Sequence, residues 1–265
     1  MKNILSIILF ICVSFVFFGC SSTTVNTPDK INIIDSDVDI SDEFEDFEDF
    51  EDESELNPVN DPFISYNRTM TGFNDGVYEN VFTPVNNGYK FITTEGIRES
   101  VGNFFNNIYF PMHLLNNLFQ GKINGALVES GRFLINTTIG LLGLFDPAKS
   151  QFDLYPHKED FGQTLGFYGV GAGPHIVLPI FGPSNLRDLV SIIPDAALSP
   201  VDYTSRSWWT ITDTWAGYLT FKTVEQFNKL SIGSSQYEIF RKDAVDLYPY
   251  MRDIYEQKRN QEIAE

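Results

Sequence analysis

Residues 122–138, KINGALVESGRFLINTT, decide the fold class of this chain because they predict a helix that is apolar over most of its circumference. The apolar side chains recur at helical spacing and leave only a narrow polar stripe between them. They are Ile123, Leu127, Phe133, Leu134 and Ile135. A helix of this kind is either buried in protein or faces lipid. Gly140 and Gly143 predict a break in the apolar run that follows.

Glu129, Arg132 and Asn136 form the polar stripe of this helix, since they are three and four residues apart. Two interpretations fit the stripe. In the first, Glu129 and Arg132 pair along an ordinary helix edge. In the second, the three side chains form a polar seam that lines a passage through an apolar body. Ionisable groups at membrane depth face the protein interior or a watery cavity, because exposure to lipid is costly.

The chain from Asp61 onward predicts a mainly α, single compact domain with a small β-hairpin. Before the stretch, the predicted helices are residues 62 to about 78, 85–92, 95–108 and 111–119, and Pro84 ends the first of them. After it, the predicted helices are residues 208–221, 223–230, 236–247 and 250–263, and Pro249 divides the last two. Residues 176–181 lie between glycines and prolines and predict one arm of the hairpin.

The first twenty residues have the layout of a bacterial lipoprotein signal. A basic residue and an apolar run over residues 4–18 precede Gly19 and Cys20. The run is too short for a bilayer core of about 30 Å, and a small residue stands before the cut. We therefore predict a signal peptide over residues 1–19 and lipidation of Cys20. A plain signal peptide or an uncleaved apolar anchor are the alternatives, since two phenylalanines precede Gly19.

The formal net charge of −18 is concentrated in one segment. Residues 35–55 contain thirteen acidic residues and no basic one. They lack the spaced apolar residues that a core requires, so residues 20–60 predict a lipidated, disordered, acidic tether. The remaining domain, residues 61–265, is only mildly acidic and has no basic face. This excludes nucleic acid as a main partner.

No pattern in the domain predicts catalysis, a cofactor or a metal. Gly169, Gly171 and Gly173 precede a proline and a β-prone run rather than a helix, so they do not form a nucleotide-binding loop. The three histidines lack metal-ligand spacing, and there is no Gly-x-Ser-x-Gly nucleophile motif. Both cysteines lie within the first twenty residues. We therefore expect a protein that is not an enzyme.

Several ordered runs between residue 61 and about residue 260 carry a resemblance to a known family. They are DPF at 61–63, YNRTM at 66–70, FN at 73–74, NLFQG at 117–121, RFLINTTIG at 132–140, FGQTLG at 161–166, YGVG at 168–171, GP at 173–174, LP at 178–179 and GPSNLRD at 182–188. Together they resemble the MlaA (VacJ) outer-membrane lipoproteins, which keep phospholipid out of the outer leaflet.

The resemblance implies a helical, ring-like domain embedded in the periplasmic leaflet of the outer membrane, with a central amphipathic passage. It implies that the protein removes mislocalised phospholipid from the outer leaflet and passes it to a soluble periplasmic carrier. A trimeric porin is the second partner that it implies, and no cofactor is expected. The alternative is a structural or adhesive surface lipoprotein whose acidic tail binds a basic partner.

The polar stripe and the resemblance together give the channel-lining or gating candidates. These are Phe73, Asn74, Glu129, Arg132, Asn136, Gly169, Gly171, Arg187 and Asp188. Arg187 and Asp188 are carried by the GPSNLRD run. We expect the glycine loop, residues 169–173, to act as a gate against Phe73 and Asn74, because three glycines in five residues make a backbone that moves easily.

Overall fold

The computed structural model describes residues 61–201, 210–212 and 214–265. The predictions for the signal peptide, for Cys20 and for the acidic tether lie outside these residues. The helices are α1 (Ile64–Val77), a π-helical turn (Tyr78–Phe82), α2 (Thr83–Ile92), α3 (Glu95–Ile108), α4 (Phe110–Phe119), α5 (Ile123–Thr138), α6 (Pro147–Phe152), α7 (Phe161–Phe167), α8 (Leu186–Leu198), α9 (Trp215–Ile232), α10 (Ser234–Asp243) and α11 (Leu247–Ala264). The strands are β1 (His175–Leu178) and β2 (Gly182–Asn185). The prediction of a mainly helical domain with one small hairpin is confirmed.

The first three helical segments run on without a break, so the prediction that Pro84 ends the first helix is wrong. A π-helical turn directly precedes the proline, and the Thr83 N–H donates to the Tyr78 carbonyl five residues back. The Thr83 hydroxyl donates to the same carbonyl at 2.9 Å. A π-turn is wider than an α-turn. It therefore accommodates the missing N–H of Pro84 near the start of α2 without breaking the helix.

Helices α3, α4 and α5 form the part of the fold that the periodicity predicted best. The predicted bounds of α3 agree with the structure, and α5 begins one residue later than predicted. Phe110 of α4 stacks on Phe133 of α5 with ring centroids 4.3 Å apart. The predicted break after α5 is present, and Leu141 and Leu142 adopt positive φ angles within it.

The hairpin is antiparallel and is shorter than the sequence predicted. Its first strand ends at Leu178 rather than at residue 181, because Ile180 adopts a left-handed φ of 71° in the turn. Asn67 of α1 ties the hairpin to the first helix. Its amide nitrogen donates to the His175 carbonyl at 3.0 Å, and its amide oxygen accepts from the Val177 N–H at 2.9 Å.

The C-terminal helices correct two further predictions. Residues 223–230 belong to one longer helix, α9, and residues 202–209 lie outside the described part of the chain. Pro249 does not divide two helices but lies in the first turn of α11. A proline is tolerated there because the first N–H groups of a helix have no intrahelical partner.

Among the described residues, many buried side chains are polar and many large apolar side chains are exposed, which is the reverse of the usual distribution of polarity. Asn67, Asn116, Asn117 and Asn185 are completely buried. Large apolar side chains face outward instead, and Phe91 is 90% exposed while Ile193 is 75% exposed. Extensive exposed apolar surface marks a site of contact with membrane or protein. Within the described residues, no helix combines the length and the apolar character that a membrane span requires.

Candidate functional site: a polar cleft between α3 and α5

A small cleft lies between α3 and α5, and most of the side chains that line it are polar. Its volume is about 30 Å³. We call it the polar cleft, and its lining residues are Asn103, Asn106, Asn107, Phe110, His113, Glu129, Arg132, Phe133, Asn136, Asp146, Pro156 and Lys158. Two acidic and two basic residues are among them, so the lining is close to neutral in charge. That volume is enough for about two ordered water molecules.

All three residues of the predicted polar stripe line the polar cleft. Arg132 makes its short ion pair with Asp146 at 2.6 Å, whereas its distance to Glu129 is 4.0 Å. Arg132 also donates to the Leu154 carbonyl. The intrahelical Glu129–Arg132 pair is therefore the weaker of the two contacts, and Arg132 serves mainly to hold the segment after α5.

Asn136 holds the same segment by a second set of bonds. Its amide nitrogen donates to Asp146 at 2.8 Å, and its amide oxygen accepts from the Ala148 N–H at 3.1 Å. Asp146 in turn caps α6 by accepting from the Lys149 N–H at 3.1 Å. This arrangement fixes the α5–α6 connection against α5 and gives the wall of the polar cleft a defined shape.

Glu129 is the most deeply buried carboxylate of the polar cleft, at 6% exposure. Burial raises the pKa of Glu129, and a hydrogen bond from the His157 N–H and the charge of Arg132 oppose that rise. The His157 N–H donates to Glu129 Oε1 at 2.6 Å. The pKa of Glu129 is thus raised by burial even though Arg132, at 4.0 Å, and Lys158 carry positive charge close to it.

Arg187 and Asp188 lie in a different place, where α7, α8 and α11 meet. Asp188 accepts from Arg259 at 3.0 and 3.1 Å and from the Tyr255 hydroxyl at 2.5 Å. Burial alone raises the pKa of Asp188, but Arg259, Tyr255 and Arg187 outweigh it and hold that pKa below its usual value. Arg259 also pairs with Asp160 at 2.9 Å. We call these five residues the charge cluster.

Asn74 and the glycine loop are each held by hydrogen bonds to another element. Asn74 makes two hydrogen bonds to the hairpin turn. Its amide nitrogen donates to the Leu178 carbonyl at 2.9 Å, and its amide oxygen accepts from the Ile180 N–H at 2.7 Å. The glycine loop is tied to α8 instead, where the Arg187 N–H donates to the Ala172 carbonyl at 3.0 Å. The predicted gate between the glycine loop and Phe73 and Asn74 stays a prediction.

Sequence reasoning missed the α3 wall of the polar cleft and the α11 side of the charge cluster. Asn103, Asn106 and Asn107 are three and four residues apart, which is the spacing that identified the stripe on α5. Tyr255 and Arg259 likewise share one face of α11. Within the described part of the chain, no group of three or more metal-ligating side chains is found.

The sequence profile of the MlaA lipoprotein family matches residues 59–262. An uncharacterised protein of Rickettsia prowazekii is 40% identical over 146 residues, which cover 55% of this chain and 58% of that protein. The Haemophilus influenzae intermembrane phospholipid transport system lipoprotein MlaA is 33% identical over 200 residues, which cover 75% of this chain and 77% of that protein. The alignments thus span little more than half of the Rickettsia relative and about three quarters of the Haemophilus relative.

A solved structure is also similar to this fold. It comes from work on the structural basis for maintenance of bacterial outer membrane lipid asymmetry. The two chains superpose with a TM-score of 0.64 and 27% sequence identity, over 77% of this chain and 98% of the other. The family profile covers most of the chain, and the helical fold with its hairpin agrees with it: the chain belongs to the MlaA lipoprotein family.

Proposed function

We propose that this protein is a lipid-anchored component of the outer membrane that removes mislocalised phospholipid from the outer leaflet. The observation that carries the proposal is the reversed polarity of the described domain, with apolar side chains outside and amides and charges inside. Full burial of one large apolar side chain is worth about 1.5–3 kcal/mol. Burying the many exposed ones in acyl chains therefore favours a position within a leaflet.

The interior of the domain suits the polar part of a phospholipid. The headgroup would pass among the amides and charges of the interior while the acyl chains stay against the apolar outer surface. Movement of a lipid breaks no bond, so this function requires no catalytic residue. Because the polar cleft has a volume of only about 30 Å³, the passage of a whole headgroup requires α3 and α5, or the hairpin and its neighbours, to move apart.

The partners follow from the same proposal. The Haemophilus relative is described as part of an intermembrane phospholipid transport system, and such a system requires a carrier that crosses the aqueous periplasm. We propose a soluble periplasmic lipid carrier as the receiver and a trimeric porin as the scaffold in the outer membrane. Lipidation of Cys20 would hold the domain at the periplasmic leaflet, with residues 20–60 as the tether.

The experiment measures phospholipid at the cell surface of a deletion strain. A surface-accessible phospholipase, or an amine-reactive reagent that does not enter the cell, should detect more phospholipid in the deletion strain than in the parent. Restoring the wild-type gene should lower the signal to the parental level. Restoring Arg132→Ala should lower it less at equal protein abundance, because Arg132 shapes the polar cleft. An unchanged surface signal in the deletion strain would refute the proposed function.

A further inference from the structure

We propose that two apolar loops of the domain insert into the acyl-chain region of a lipid leaflet and hold the domain there. We call residues 139–145 the first apolar tip and residues 178–182 the second apolar tip. This inference rests on the proposed function and adds the non-helical segments that contact the acyl chains. The supporting observations are a left-handed backbone at exposed apolar residues, the lack of polar side chains in both tips, and hydrogen bonds that satisfy their backbone from inside the domain.

Both apolar tips contain large apolar residues in the left-handed region of backbone conformation. The φ angle is 53° at Leu141 and 62° at Leu142 in the first tip, and 71° at Ile180 in the second. This region favours glycine and asparagine, and a β-branched residue such as isoleucine is an outlier there. A glycine would adopt the same backbone at lower cost. Leucine and isoleucine at these positions therefore need contacts of their side chains that offset the backbone strain.

The domain supplies only part of the contact that these side chains need. Leu141 and Ile180 are each 60% exposed, and Leu142 is 53% exposed. Phe145 and Phe181, in the same two tips, are also more than half exposed. Removing apolar surface from water is stabilising in proportion to its area. An apolar environment outside the domain would therefore supply the remaining contact.

The composition of the tips favours acyl chains over a protein partner. The first apolar tip has the sequence IGLLGLF and the second has the sequence LPIFG, so neither contains a charged or hydrogen-bonding side chain. A protein interface usually has a polar rim and direct hydrogen bonds between the partners. Acyl chains offer no partner for a polar side chain, and the tips present none.

The backbone of the first apolar tip makes its hydrogen bonds inside the domain. Acyl chains tolerate non-helical backbone poorly unless its polar groups are bonded within the protein. The Leu142 N–H donates to the Thr137 carbonyl at 3.0 Å, and the Gly143 N–H donates to the Asn136 carbonyl at 2.8 Å. The first tip thus folds back on the end of α5, and its side chains rather than these N–H groups face outward.

The second apolar tip reaches the same state through a side chain of α1. The Asn74 amide donates to the Leu178 carbonyl at 2.9 Å and accepts from the Ile180 N–H at 2.7 Å. Pro179, between them, has no N–H to satisfy. A buried amide therefore takes the place that water has in an ordinary exposed turn, which suits a turn surrounded by acyl chains.

The test places a fluorescent label at each tip of the full-length protein in dioleoyl phosphatidylcholine vesicles. Both natural cysteines lie within the first twenty residues, so the labelled wild type gives the background. Nitrobenzoxadiazole on Leu142→Cys or Ile180→Cys should emit at shorter wavelength than in water. It should be quenched by lipid that is brominated on its acyl chains, and not by iodide in the water. Asp153→Cys is the matched control, since Asp153 is polar, exposed and left-handed with a φ of 52°, and iodide should quench its label.

Two further positions keep the test decisive. Phe145→Cys and Phe181→Cys carry the label in the same tips and replace any variant that a thermal melt shows to be misfolded. Phe91→Cys labels α2, where Phe91 is 90% exposed, and reports whether the domain lies in the leaflet at all. Quenching by iodide at either tip, with acyl-chain quenching at Phe91→Cys, overturns this inference and leaves the proposed function in place. Quenching by iodide at every labelled position contradicts the leaflet position on which the proposed function depends.

Discussion

Replacing Arg259 by methionine should destabilise the domain strongly, because Arg259 is the shared partner of two carboxylates in the charge cluster. Its guanidinium donates to Asp188 at 3.0 and 3.1 Å and to Asp160 at 2.9 Å through two nitrogens. Its side chain is only 11% exposed, and that of Asp188 only 9%. Arg259→Met keeps most of the apolar stem and removes the charge, so it leaves Asp188 buried with fewer partners.

The size of the effect follows from the partners that remain. Removing one member of a buried ion pair costs about 3–5 kcal/mol. Asp188 would keep Arg187 at 3.1 Å and the Tyr255 hydroxyl at 2.5 Å, so we expect a loss near the lower end, about 3 kcal/mol. For a domain of this size, that corresponds to a fall in melting temperature of roughly 6–12 °C.

The assay is thermal unfolding followed by circular dichroism in one detergent, with Arg241→Met as the matched control. The Arg241 side chain is 35% exposed and its partners include an exposed glutamate, so its loss should cost no more than about 1 kcal/mol. The gap between Arg259→Met and the wild type should narrow as the pH falls below about 4, because protonated Asp188 needs no cation. A melting temperature of Arg259→Met within 2 °C of the wild type would show that the charge cluster is not a major source of stability.

Three further predictions follow from the structure and the sequence. The pKa of Asp195 is raised to about 7 by burial and by Asp160, so its folded state holds a proton that the unfolded state releases between about pH 4 and pH 7. Asp195→Asn keeps an acceptor for the Phe161 N–H and removes the buried carboxylate charge. It should therefore raise the free energy of unfolding by up to about 4 kcal/mol at pH 8 and by less at pH 5. Denaturant melts at the two pH values would measure this difference. Asn74→Ala removes both bonds to the hairpin turn and should increase hydrogen exchange at the turn amides, whereas unchanged exchange would mean that the turn is rigid by itself. Cys20→Ala should abolish metabolic labelling with a fatty acid, and an unlabelled wild type would contradict lipidation.

The sequence predicted the helices whose apolar residues repeat regularly. It predicted a helix boundary wrongly where a local irregularity of the backbone changes the effect of a proline. The spacing of Ile97, Val101 and Phe105 is enough to define α3, because burial of one helix face leaves this period in any sequence. Pro84 misled because its usual effect is cancelled by the π-helical turn before it. A turn with one extra residue has no sequence signature that distinguishes it from an ordinary helix.

The site residues were predictable only where they lie together on one helix. Glu129, Arg132 and Asn136 were found from their spacing, and they line one cleft. The partner of Asp188 could not be found in this way, since Arg259 lies 71 residues further along the chain. Long-range pairing depends on how α8 and α11 pack, and one sequence contains no direct record of that packing.

The π-helical turn between α1 and α2 has a consequence for how this helix can change over evolution. One residue corresponds to about 100° of rotation around a helix axis. The extra residue of the π-helical turn therefore sets the angle between the faces of α1 and α2. One half directs Asn74 to the hairpin, and the other directs Tyr89 to Asn228 of α9 at 2.8 Å. Deletion of one residue from this turn would restore an ordinary helix but would turn one of these side chains away from its partner. The number of residues in the π-helical turn is therefore constrained more tightly than their identity. Substitutions in this turn should be tolerated, whereas deletions should not.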